Sequence, residues 1–126
     1  MSEGVRHVQD LRVYQMSMSL AMEVFELSKA FPSEERYSLT DQVRRSSRSV
    51  CANLAGAWQK RRYSAAFVAK LSDSAAEAGE SITWLEFAER CHYLDPEASG
   101  RLRRNYNVVV GQLITIMRNP TPWLLK

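Results

Sequence analysis

Apolar residues recur every three to four positions along most of the chain, and no run of β-branched residues alternates with period two. Three breaks interrupt this pattern: "AFPSEERYS" around Pro32, "LDPEASG" around Pro96, and "RNPTPW" near the end. The periodicity between them predicts four helices, over about 8–31, 38–60, 64–92 and 97–118. Ser38 followed by Asp41 resembles a capping box at the start of the second. Short loops between four helices predict an all-α, antiparallel up-down four-helix bundle, with residues 1–126 as one domain.

The first helix carries two apolar stripes. At about 100° per residue, Leu11, Tyr14, Met18, Met22 and Phe25 point one way, while Val13, Met16, Leu20, Val24, Leu27 and Phe31 point roughly the opposite way. The outer helix of a monomeric bundle needs only one such stripe. The second predicts burial against a partner, and self-association is the economical form of it. The fourth helix has a single broad stripe, Leu102, Tyr106, Val109, Val110, Leu113, Ile114, Ile116 and Met117, and it is expected in the core.

In the second helix Leu39, Val43, Val50, Leu54, Ala57 and Trp58 share a face. Arg44, Arg45 and Arg48 lie well away from it, and Ser46, Ser47, Ser49, Asn53 and Gly56 make the remaining surface small and polar. Asn53 is a poor helix former, so its side chain is expected to bond something specific. Trp58 and Trp84 each lie among apolar residues at helical spacing and are expected in the core or at an interface.

Composition is that of an ordinary globular chain, 45% apolar and 25% charged, with a net charge of +3. Its charge is segregated. Residues 36–62 hold seven basic side chains and one acidic one, whereas residues 63–100 hold two basic and seven acidic. The N-terminus lacks an apolar signal core, and no apolar run approaches the roughly 20 residues of a membrane helix, so a soluble, cytoplasmic protein with no membrane partner is expected. Cys51 and Cys91 sit in helical patterns among apolar residues and are expected to be reduced and at or near the core.

The stretch "VRRSSRSVCANLAGAWQKRRY" contains six positive charges and no negative one. Two readings stay open. The arginines pair with acidic side chains of the third helix, such as Asp73, Glu77, Glu80, Glu86 or Glu89. Alternatively, Arg44, Arg45 and Arg48, with Lys60, Arg61 and Arg62, hold phosphates, with Tyr63 and Trp58 nearby for stacking. No catalytic constellation accompanies them. His7 and His92 are far apart, Cys91–His92 has no further ligands at zinc spacing, and no Gly-rich phosphate loop is present. A protein that is no enzyme and uses no cofactor or metal is expected.

The ordered set Phe31–Pro32, Tyr37-x-Leu39-x-x-Gln42, Arg44-Arg45-Ser46 and Ser49-Val50-x-x-Asn53, followed by Phe67, Leu71, Glu80 and Tyr93–Leu94, resembles a small four-helix-bundle family. It comprises proteins encoded by intervening sequences of bacterial 23S ribosomal RNA genes and accessory proteins of diversity-generating retroelements. The resemblance runs from about Leu11 to Met117. It departs at Ala55, where family members usually carry Glu. The resemblance implies a homopentameric barrel of bundles. For the retroelement members it also implies binding of RNA or DNA, and of a reverse transcriptase, through a basic surface. The leading expectation is an oligomeric scaffold with a basic nucleic-acid-binding surface. The alternative is a structural or protein-binding homo-oligomer whose arginines form interface salt bridges.

Overall fold

The computed structural model describes residues 4–126. Four helices form the bundle: α1 (Arg12–Ser28), α2 (Leu39–Gln59), α3 (Ser64–Arg90) and α4 (Pro96–Arg118). A 3₁₀ turn, Val8–Asp10, precedes α1, so the regular helix starts four residues later than the periodicity predicts. It also stops at Ser28, and Phe31 is buried from the loop that follows, where its ring packs 5.7 Å from Tyr93.

Local chemistry sets the ends. Asp95 caps α4 by accepting from the backbone N–H groups of Glu97 at 3.1 Å and Ala98 at 3.2 Å, with Pro96 in the first helical position. α3 closes with the paired bonds of a Schellman turn, from Tyr93 N–H to the Ala88 carbonyl and from His92 N–H to the Glu89 carbonyl. That turn holds His92 at φ 64°, where glycine would be the usual residue. The expected capping box at α2 is not formed, because the Ser38 side chain makes no cap bond. Glu35 supplies it instead. One of its carboxylate oxygens accepts from Leu39 N–H at 3.2 Å and the other from the Tyr93 hydroxyl at 2.9 Å.

α2 and α3 run antiparallel in close contact. Small polar side chains permit this approach, and the buried serine hydroxyls between the two helices are hydrogen-bonded. Ser46 Oγ and Ser81 Oγ lie 2.8 Å apart, and Ser74 Oγ donates to the Val50 carbonyl at 2.8 Å. Asn53 meets its expectation of a specific bond. Its amide donates to the Ser49 carbonyl, and its oxygen accepts from Lys70 Nζ at 3.1 Å, tying α2 to α3.

The core fills the space between the helices, with Val43, Val50, Leu54, Leu71, Leu85, Leu102 and Tyr106 almost wholly enclosed. Trp58 joins it at 5% exposure, whereas Trp84 is only half-buried beside the exposed Phe87. Cys51 is buried, but Cys91 is exposed: it stands at the C-terminal cap of α3, past the last turn that faces the core.

The two stripes of α1 have different fates. Val13, Leu20 and Val24 face the bundle and are buried. Met18 and Met22 on the other stripe are 39% and 52% exposed, with Tyr14 and Phe25 half-buried beside them. Leu11 departs from its stripe and is buried, and Ile114 departs from the core stripe of α4 and is exposed, at the edge of the buried face. Among the described residues no helix is long and apolar enough to cross a membrane.

Candidate nucleic-acid interface

The six predicted basic residues fall into two separate groups. Arg45 and Arg61 are sixteen positions apart on α2 and its C-terminal turn, about 24 Å at the helical rise.

The first group surrounds the C-terminal end of α1. Arg44 is half-buried there. Its Nε donates to Ser28 Oγ at 2.8 Å, and its guanidinium lies 4.9 Å from the centre of the Phe25 ring. Arg48 and Lys29 approach the same ring, at 5.8 and 4.8 Å. Cations at this position suit the negative end of the α1 dipole. Arg45 points elsewhere and sits 3.8 Å from Asp41, one turn back on α2.

The predicted ion pairs between these arginines and α3 are absent among the described residues. Glu86 and Glu89 pair instead with Arg90 and Arg103. Asp73, Glu77 and Glu80 remain together without a bonded cation among the described residues. Burial, then the charges of Glu80 and Asp73, raise the Glu77 pKa, and Arg45 offsets this only in part.

The second group closes the α2–α3 junction. Arg61 lies over Trp58, its guanidinium carbon 3.6 Å from the ring centre, while its Nε donates to the Trp58 carbonyl at 2.8 Å. Partial burial lowers its pKa. Lys60 and Arg62 are exposed on either side, and Tyr63 is 65% exposed.

Other parts of the chain join this second group. The C-terminal tail reaches it, with Leu125 N–H bonded to the Arg61 carbonyl at 3.3 Å. Val5 and Arg12, near the start of α1, line one shallow depression with Gln112 and Ile116 of α4 and with Trp123. The segments 5–13, 58–66 and 112–126 therefore share one end of the bundle. They carry seven basic side chains (Arg6, Arg12, Lys60, Arg61, Arg62, Arg118 and Lys126) against one acidic one, Asp10. Segments 26–41 and 86–97, at the opposite end, carry eight acidic and three basic side chains. The bundle is polarised along its axis. Only the contiguous part of the basic end is legible in the sequence, because Arg6, Arg12, Arg118 and Lys126 come from segments that only the up-down topology brings together.

Among the described residues no three His, Cys, Asp or Glu side chains group as a metal site would require. Fold and surface together define an all-α, up-down four-helix bundle with one strongly basic end. Residues 9–115 match the model of the 23S rRNA-intervening sequence protein family, and the chain belongs to that family. A solved relative is a protein of unknown function from the S23 ribosomal protein family of Bacteroides thetaiotaomicron. It superposes with a TM-score of 0.75 at 26% sequence identity, covering 85% of this chain and 96% of its own. Comparison with curated proteins gave no match.

Proposed function

We propose that this protein is a non-enzymatic homo-oligomeric scaffold that binds nucleic acid through the basic end of its bundle. The observation that supports this reading is the gathering of seven basic side chains and one acidic one at that end among the described residues, with none of the seven ion-paired among those residues. Lys60 and Arg62 are exposed, Arg61 is held in place by Trp58, and Tyr63 offers an exposed ring for a base. The exposed Met18–Met22 stripe supports self-association, because a monomer gains nothing from a second apolar face. A ring whose axis follows the bundle axis would place every basic end on one side, so several weak contacts would act together.

For Arg44 and Arg45 the local contacts favour a structural role, and Arg48 approaches only the Phe25 ring. Arg44 is occupied by Ser28 and Phe25, and Arg45 has Asp41. Binding is tested by titrating labelled single-stranded and duplex RNA and DNA at about 50 and 200 mM salt, the range over which phosphate contacts weaken strongly. Tight binding at the lower salt, lost at the higher and indifferent to sequence, is the expected result. Absence of binding at the lower salt by the assembled protein would overturn the proposal.

A further inference from the structure

Between α1 and α2 runs an apolar groove of about 340 Å³. Tyr14, Met18, Met22 and Phe25 form one wall, the buried Ala21 and Cys51 form the floor, Ala52 and Ala55 line the α2 side, and Arg48 stands at one end. With alanine at 55 the α2 side carries no charge other than Arg48. The walls are unbranched or aromatic side chains that adapt to an incoming helix.

The outer face of α3 has the complementary shape and charge. Ala65, Ala69, Ser72 and Ala76 are all exposed and recur every three or four residues, making a low ridge. Asp73 and Glu80, both exposed, flank this ridge on the side of α2. Neither is ion-paired among the described residues, and each adds to the crowding of negative charge around Glu77.

The heights of the two surfaces also agree. The bonds from Ser46 to Ser81 and from Ser74 to Val50 put Arg48 level with the segment between Ser74 and Ser81. Lys70, bonded to Asn53, puts Ala69 and Ser72 level with Ala52 and Ala55. Copies related by rotation about an axis along the bundle keep equal heights. The basic end of the groove then meets the acidic part of α3, and the small ridge meets the methionines.

We propose that the α1–α2 groove of one copy receives the outer face of α3 of the next, with Arg48 opposite Asp73 and Glu80. The contact is head-to-tail, two different patches on each copy, so it does not stop at a dimer, and it forms a ring where the rotation between copies closes. It rests on the homo-oligomeric reading above and specifies the surfaces that build it. It also removes Arg48 from the nucleic-acid surface and leaves the basic ends of all copies on one face.

The test is a charge exchange read by light scattering, with circular dichroism to confirm folding. Arg48, Asp73 and Glu80 are all exposed, so replacing them leaves the bundle core untouched. Wild type at micromolar concentration is expected at a multiple of the 14.4 kDa chain mass. Arg48→Glu alone, and Asp73→Arg with Glu80→Arg, are each expected to give helical species of one chain mass. Combining all three changes is expected to restore the wild-type mass. If the one-sided variants keep the wild-type mass, or the combined variant stays dissociated, this contact is wrong while the oligomer stands. A monomeric wild type would overturn the oligomeric reading and this contact with it.

Discussion

Arg61 lies flat against Trp58, 3.6 Å from guanidinium carbon to ring centre, and bonds the carbonyl of the same residue at 2.8 Å. One side chain thus closes the C-terminal turn of α2 and covers the Trp58 ring, while its own carbonyl anchors the tail through Leu125. Arg61 differs in this from its neighbours Lys60 and Arg62. Arg61→Ala is expected to lower stability by about 1 kcal/mol, the scale of a partly desolvated cation–π contact. Lys60→Ala and Arg62→Ala should leave the urea midpoint unchanged and weaken nucleic-acid binding. Equal midpoints for all three variants would show that the stacking has no structural role.

The two tryptophans that share a sequence pattern separate in the structure. Trp58 is 5% exposed within the core, and Trp58→Ala should cost about 3–5 kcal/mol in equilibrium unfolding. Trp84 is half-buried beside Phe87, so Trp84→Ala should cost distinctly less. Its indole N–H is enclosed without an acceptor among the described residues, which further reduces the loss on truncation. A Trp84 variant as damaged as the Trp58 variant would contradict this ordering.

His92 occupies the left-handed position of the Schellman turn at φ 64° and is exposed. An L-residue there costs roughly 1 kcal/mol that glycine avoids. His92→Gly is therefore expected to raise the thermal midpoint, the local relief exceeding the added freedom of the unfolded chain. A lowered midpoint would mean that the imidazole makes a contact of its own.

Helix periodicity was enough to place four helices and their order, because each buries one face with a clear 3.6-residue pattern. It erred where bonds rather than burial set the boundary. Glu35, not Ser38, caps α2, and Phe31 is buried from a loop and so mimics a last helical turn. The candidate site was legible only in part. "QKRRY" is contiguous, whereas Arg12 and Arg118 reach the same end only because α1 begins where α4 stops. The arginines at 44, 45 and 48 looked equivalent on a helical wheel, which shows direction but not what a neighbouring helix offers. Arg44 met Ser28 and Phe25, and Arg45 met Asp41.

Alkaline conditions should weaken the fold in two overlapping steps. Burial pushes the Cys51 thiol from 9.0 to about 11, and the bond to Glu35 raises the Tyr93 hydroxyl from 10.0 to about 12. Both groups are favoured in their protonated form in the folded state. Their contribution is complete below the unfolded pKa and disappears as pH rises through the folded one. Stability should therefore fall from about pH 9 to 11 through Cys51 and from about pH 10 to 12 through Tyr93. Cys51→Ala should remove the earlier part of the decline and Tyr93→Phe should reduce the later part, which it shares with the Tyr106 hydroxyl, also raised by burial, as followed by unfolding at fixed denaturant. A decline unchanged in both variants would assign it to other groups.

The basic end makes the sharpest demand on the proposed function, because its members come from distant parts of the chain. Each cation that meets a phosphate releases counterions and steepens the salt dependence of binding, by about 0.9 per contact on duplex DNA. Arg12 and Arg118 lie outside the stretch that the sequence singles out, yet both are exposed at this end. Replacing both by alanine should flatten the slope of log K against log salt by up to about two, in proportion to the contacts made. The same change at Arg44 and Arg48 should leave the slope nearly constant in any variant that still assembles, since those side chains serve Ser28, Phe25 and the neighbouring copy. The reverse outcome, a slope sensitive to Arg44 and Arg48 and indifferent to Arg12 and Arg118, would move the binding surface from the end of the bundle to its side.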